Sequence, residues 1–272
     1  MANFPTIAIG LPFVKAGGFS AQALAWQSSI VANGGSITDA ELAAIDNNFF
    51  KPAVANGSIL TQLDRLNIYA GLSNSIAQRT CIIRGSLITP VSSPTFDVNG
   101  VKSSGTSYLN LNYNPAVNGV KLTLNSLSHG YLVKNPPFAS TIRGMGSRQG
   151  ITSPFSRLSI YRDVDILSAY NNDNSGANNT SVVKTGWVSC EGQRLNSTTQ
   201  NYSIVNGGYS AVTRTSIGLP NSPTTELTEY NEIVPTGNYD TMYHGASWHG
   251  SGGIDNGNLV TFLRNTFTAL GV

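Results

Sequence analysis

Three histidines stand in the chain, and two of them fall within seven residues of a tryptophan-bearing stretch, YHGASWHGSGG at 243 to 253, the composition a metal or acid–base site would use. Read as a strand, the segment places Met242, His244, Ala246 and Trp248 on one face and Tyr243, Gly245, Ser247 and His249 on the other. Read as a helix, a separation of five residues sets the two rings about 140° apart. Neither geometry lets His244 and His249 meet one ion. The expectation is an inner row packing Met242 and Trp248, and an outer row carrying His249 toward solvent or a partner.

Paired carboxylates are the next candidates, because glycoside hydrolysis uses two acids about 5 Å apart for retention. Asp163 and Asp165 share a face if RDVDIL is a strand, but no third acid follows in the spacing of β-sandwich glucanases. Glu226, Glu229 and Glu232 recur at steps of three, which in a strand alternates their direction, so a solvated edge or loop is expected. No G-x-S-x-G nucleophile elbow occurs, and the GGS and NGG clusters read as turns rather than phosphate loops. The oxygen-rich loop 171 to 179, NNDNSGANN, holds one carboxylate, Asp173, and departs from the EF-hand pattern, so it reads as a flexible polar loop. Catalytic and metal residues are therefore expected to be none, with no cofactor. Tyr170, Asn171 and Asp173 stand as the candidate ligand-binding cluster, a polar group beside an aromatic that can stack on a sugar. Trp187 is expected to pack between sheets.

The elements that must position these residues follow from composition and period. The 272 residues carry a net charge of +2 with only 11% charged, which argues against a nucleic-acid or anionic-membrane footprint. Polarity comes instead from 28 Gly and 28 Asn, the residues of tight turns between short strands. Cys81 and Cys190 are too few for a disulfide framework and read as two buried free thiols. The start lacks a basic n-region, and no apolar run approaches the ~20 residues of a membrane span, so a soluble protein made in a cytoplasm is expected.

Residues 1–19 read as an extended arm. A helical adaptor over 20–76 follows, with Ser20 capping a first helix (Ala23, Trp26, Ile30 inward), Thr38 and Glu41 opening a second as a capping box (Leu42, Ile45, Phe49 inward), and SILTQLDRLNIYAG supplying a third. Beyond Ala77 the period shifts to two. RTCIIRGSLI, SYLNLNYNP, KLTLNSL, HGYLVKN, RLSIYR, VDILSAY, SVVKTGWVSCEG, TQNYSIV and AVTRTSIGL are strand candidates, separated by turns such as Asn99-Gly100 and Asn118-Gly119. A mainly β fold results, an antiparallel β-sandwich over 77–272, closed by a helix over 256–270 that Asp255 caps.

Three segments, FDVNGVKSSGTSYLNLNYNPA (96 to 116), EGQRLNSTTQNYSIVNGG (191 to 208) and YHGASWHGSGGIDNGNLVTFLRNTFTALG (243 to 271), occur in the order of an "nG…gtsYl…yNP" strand pair, a "R…s…Y.NG" hairpin and a "fG.gl…f…v…l" terminal helix. In this the chain resembles structural proteins of Bacteroidetes-type phages and prophages, in which a short helical region precedes a laminin-G or concanavalin-like jelly roll; the match spans roughly 20 to 272. The resemblance implies a non-enzymatic virion component, such as a head fibre, spike, decoration or tail-associated protein. Its partners would be capsid or tail proteins, copies of itself, in a trimer by expectation, and host cell-surface glycans, with no nucleic acid and no membrane insertion. The family's calcium ligands, where present, match no residue here.

Overall fold

A computed structural model describes residues 18–136, 142–149, 156–163, 166–171, 177–179, 185–196, 201–205, 208–212, 219–231 and 239–272. Residues 1–17 of the arm expected over 1–19, together with Asp165, Asp173 and Glu232, lie outside the described residues.

The first helices form as their local signals require. Helix α1 (Ala21–Ala32) is capped by Ser20 and buries Ala23, Trp26 and Ile30. Helix α2 (Asp39–Ile45) carries the complete Thr38–Glu41 capping box and buries Leu42 and Ile45. A π turn, Asp46–Phe50, runs directly into α3 (Lys51–Asn56), so Pro52, which has no N–H to donate, is met by a loosened turn rather than a break. Gly57, with φ of 78°, ends that helix.

The third expected helix is mostly a strand. Only α4 (Ile59–Gln62) is helical, and β1 (Leu63–Ile68) follows at once. Leu60, Leu63 and Leu66 fit a helical period as well as a mixed one. Burial decides the matter, because Leu66 and Ile68 meet the helices while Arg65 and Asn67 turn the other way, and all of β1 is buried.

Helix α5 (Ser75–Arg79) and a lone Thr80–Leu87 bridge replace the strand expected over 79–88. The strands β2 (Thr89–Val91), β3 (Thr95–Asp97), β4 (Gly100–Lys102) and β5 (Tyr108–Asn110) are short. Leu109, Leu111 and Tyr113 are buried as their alternation implies, but Asn112, at φ of 50°, stops the strand early. Helix α6 (Pro115–Asn118) follows, and KLTLNSL, 121 to 127, holds a Thr123–Ser126 bridge before β6 in place of the expected strand. Then come β6 (Leu127–Lys134), β7 (Ile142–Gln149), β8 (Ser156–Asp163), β9 (Ile166–Asn171), β10 (Ala177–Asn179), β11 (Trp187–Arg194), β12 (Asn201–Val205), β13 (Gly208–Val212), β14 (Thr225–Glu226), β15 (Glu229–Asn231), β16 (His244–Gly250) and helix α7 (Asn256–Ala269).

These strands make two sheets, open rather than closed into a barrel. One has the order β13-β12-β11-β6-β16-β4-β3, with β1 also beside β16; the other has the order β10-β9-β8-β7-β14-β5-β2, with β15 beside β7. Pairing is antiparallel except between β15 and β7. The helices α1 to α3 and α7 cover the outer face of the first sheet, where Trp26, Phe49, Leu66, Leu132, Ala246, Trp248, Leu263 and Phe267 share one apolar cluster. A second cluster, with Tyr69, Leu109, Tyr131, Val133, Met145, Ile160 and Val188, fills the space between the sheets. The order is therefore helices, sheet, sheet. Burying the outer face of the first sheet in this way leaves β16, a central strand, enclosed on both sides.

Candidate functional site: a histidine between two carboxylates

The period-two rule fails at Gly245. The register of β16 against β6 slips between His244 and Ala246, so two consecutive residues, Gly245 and Ala246, point to the helical side. A Cβ at 245 would lie 2.5 Å from the Trp187 ring and 2.9 Å from Phe267, which is why glycine sits at the bulge. Its carbonyl accepts from the N–H of both Tyr69 (2.7 Å) and Ala70 (3.0 Å). His244, Ser247 and His249 consequently all face the second sheet, correcting the expectation that the two histidines oppose each other. His249 is fully buried, not exposed. Trp187 is likewise not between the sheets: it packs on Phe267 of α7, ring centroids 4.7 Å apart.

His244 is held on both sides. Its Nδ1 lies 2.8 Å from Glu226 Oε1 and its Nε2 2.8 Å from Asp240 Oδ2. Glu226 Oε2 also accepts from the Tyr69 hydroxyl at 2.5 Å, and Ser247 Oγ is 2.9 Å from that hydroxyl. The Tyr131 ring stacks on the imidazole at 4.4 Å, tilted by only 8°. Every one of these side chains is fully buried. Glu226 was expected on a solvated edge; it stands on β14 of the second sheet and reaches across to His244 on the first, so the contact ties the layers together.

The backbone brings the two carboxylates there by a strained residue. Leu227, buried and at φ of 70°, donates to the Gly144 carbonyl (2.7 Å) and accepts from the Asp240 N–H (2.8 Å). A left-handed leucine costs about 1–2 kcal/mol, which the surrounding hydrogen bonds and packing must offset.

Both acceptors being carboxylates, the ring is best satisfied as an imidazolium donating at each nitrogen. Burial alone would push His244 down, but the charge of Asp240 and the hydrogen bonds to Asp240 and Glu226 outweigh it and hold it above its ordinary value. Burial and the neighbouring Glu226 raise Tyr69 far up, so it remains a phenol and a donor. A histidine engaged in this way has no free lone pair for a metal ion or a substrate proton. Its role in this geometry is a charged crosslink. Among the described residues no cluster of three or more His, Cys, Asp or Glu is arranged to hold a metal ion.

A second carboxylate organises the loop after α6. Asp64, also buried, accepts from the backbone N–H of Val120, Lys121 and Leu122, from Tyr113 (3.2 Å) and from Arg84 (3.3 Å).

The remaining sequence candidates are dispersed. Asp163 ends β8 and pairs with Ile166 at the start of β9, while Asp165 lies outside the described residues. Tyr170 and Asn171 close β9 in register with Ser159 and Leu158; their side chains, and all of Asp173, lie outside the described residues. Cys81 and Cys190 are buried free thiols. No helix among the described residues is long and apolar enough to cross a membrane.

No protein-family model matches the chain, and no curated protein matches it in sequence. Solved structures do share its fold. A Trypanosoma rangeli sialidase mutant displaying trans-sialidase activity aligns over 92% of this chain and 39% of its own, with a TM-score of 0.58 and 11% identity. The sialidase of that organism in complex with 2,3-difluorosialic acid aligns over 77% of this chain and 33% of its own, with a TM-score of 0.51 and 10% identity. The same sialidase with sialic acid gives 75%, 33%, 0.50 and 10%. The chain thus spans about a third of the length of these proteins, and the likeness defines a mainly β, two-sheet sandwich class.

Proposed function

We propose that the chain is a non-enzymatic carbohydrate-binding sandwich of the concanavalin and laminin-G jelly-roll type. The observation that carries this reading is where the ionisable groups sit. Glu226, Asp240, His244, His129, His249 and Glu191 are all buried, each committed to the interior rather than lining an open cleft. A glycosidase must instead present two acids on either side of a scissile bond. The chain as a whole is weakly charged, 11% of its residues, and carries 28 Asn and 11 Tyr, side chains that hydrogen-bond to or stack on sugars without chemistry. The shared fold of sialidases solved with sialic acid supports sugars as the ligand class, and Tyr170 and Asn171 at the end of β9, with Asp173, are the first candidate contact.

The test is a glycan array with the full chain, since a fragment beginning at residue 77 would remove β1 from its sheet. Saturable retention of at least one sialylated or neutral glycan, without release of cleaved product, supports the reading. No retention across the panel, or turnover, overturns it.

A second reading places the same sandwich on a bacteriophage particle, favoured by the ordered resemblance of 96–116, 191–208 and 243–271 to phage structural proteins. It requires the chain in stoichiometric amounts in purified virions by mass spectrometry, and its absence there removes this reading while leaving the first intact.

A further inference from the structure

One row of the first sheet's inner face is built of bases. Arg65 on β1, His249 on β16 and His129 on β6 stand side by side in register, and the row ends at Gly192 on β11, which contributes no side chain. All three side chains are buried. The rings of His129 and His249 are 6.2 Å apart.

The facing row belongs to the second sheet. Tyr113 approaches His249 to 5.1 Å between ring centroids. Thr224 donates its backbone N–H to Tyr113 O and accepts from Leu111 N, so it lies beside them. Continuing the register that pairs Thr225 with Gly146 sets Thr224 opposite Ser147 on β7. Thr224 and Ser147 are fully buried too.

Hydrogen bonding in this space is incomplete. Arg65 Nη1, both ring nitrogens of His249, Thr224 Oγ1 and Ser147 Oγ are buried without a partner. The described hydrogen bond of Arg65 is from Nη2 to Asn67 Oδ1, a neutral acceptor. The adjacent carboxylate, Asp64, is spent on three backbone N–H groups, on Tyr113 and on Arg84. A guanidinium is charged at any working pH, and a buried one without an anionic partner is strongly unfavourable. Burial and the Arg65 charge push His249 well below its ordinary value, so its neutral ring adds one further N–H donor. Four buried donors, on facing rows of the two sheets, are thus left without acceptors beside one positive charge that has no anionic partner.

We infer that this enclosed space between the sheets is a binding site for a small monovalent anion of halide or carboxylate size, coordinated by Arg65, His249, Thr224 and Ser147. The anion supplies the missing counter-charge and the missing acceptor together, and by binding only the folded state it stabilises the sandwich in proportion to the logarithm of its concentration.

The experiment uses the full chain with bromide as the probe. Melting is followed in sodium gluconate and in mixtures raising sodium bromide at constant ionic strength, and crystals grown in bromide are examined for anomalous scattering. Expected are a saturable rise in Tm, about 5–10 °C at a hundredfold excess over Kd, and an anomalous peak within hydrogen-bond distance of Arg65 Nη1. Arg65→Met, which removes the charge with an apolar side chain of similar length, should melt at a temperature independent of bromide. Equal Tm in both salts with only water scattering at Arg65 overturns the inference, and that result is readable on the wild-type chain even if Arg65→Met does not fold.

Discussion

Replacing His244 with phenylalanine separates its charge from its shape. The phenyl ring can keep the stack on Tyr131, 4.4 Å away, but it offers nothing to Glu226 Oε1 or Asp240 Oδ2, each 2.8 Å from a ring nitrogen in the wild type. Removing one partner of a buried ionic group costs about 3–5 kcal/mol, because the groups left behind are buried and uncompensated. At roughly 2–4 °C per kcal/mol for a domain of this order of size, Tm at pH 7 should fall by about 6–20 °C. The pH profile is the sharper readout. His244 is raised in the fold, so the stability it contributes is present below the unfolded value of 6.5 and is lost as pH rises through its folded value. The gap between wild type and variant should therefore be widest at and below pH 6.5 and narrow as pH rises through the folded value of His244. Urea unfolding from pH 5 to 9 measures it. A gap under about 1 kcal/mol, or one independent of pH, would refute the charged crosslink.

Two further outcomes follow from the same interior. A methyl at Gly144 would stand 2.1 Å from the Tyr131 hydroxyl oxygen, so Gly144→Ala should cost about 1–3 kcal/mol by overpacking, seen as a lower urea midpoint; an unchanged midpoint would mean that Tyr131 is not seated over β7. Glu191, whose Oε2 has no partner, is pushed up to about 8, chiefly by burial, with Ser189 and Arg264 acting the other way. A raised carboxyl withdraws stability as pH climbs from the unfolded 4.5 toward about 8, so Glu191→Gln should flatten the fall in Tm across that window, and an identical slope would count against it.

What could be read from the sequence was local. Ser20, the Thr38–Glu41 box and Asp255 announce their helices because a cap and the N–H it binds lie within a few residues, and each stands where expected. The inward set Leu109, Leu111 and Tyr113 was legible for the same reason, since alternation needs no partner strand. The strand β1 was not, because its leucines suit two periods and only pairing with β16, far along the chain, selects one. The facing of His244 and His249 was lost to one extra residue at Gly245, and a bulge is fixed by the neighbours it accommodates, here Trp187 and Phe267. Glu226 was missed as a buried group because its partner arrives from the other sheet. The unpartnered atoms around Arg65 have no sequence signal at all; they depend on a register between two sheets.

The contact between Asn56, at the end of α3, and Asp255, the cap of α7, joins residues 199 positions apart. At a ribosomal rate of about 5–20 residues per second, the opening helices emerge about 10–40 s before the strand and helix that cover them. Through that interval Trp26, Leu42 and Phe49 have no lid, so a nascent chain presents a greasy, aggregation-prone flank that holding chaperones would shield until synthesis has passed α7.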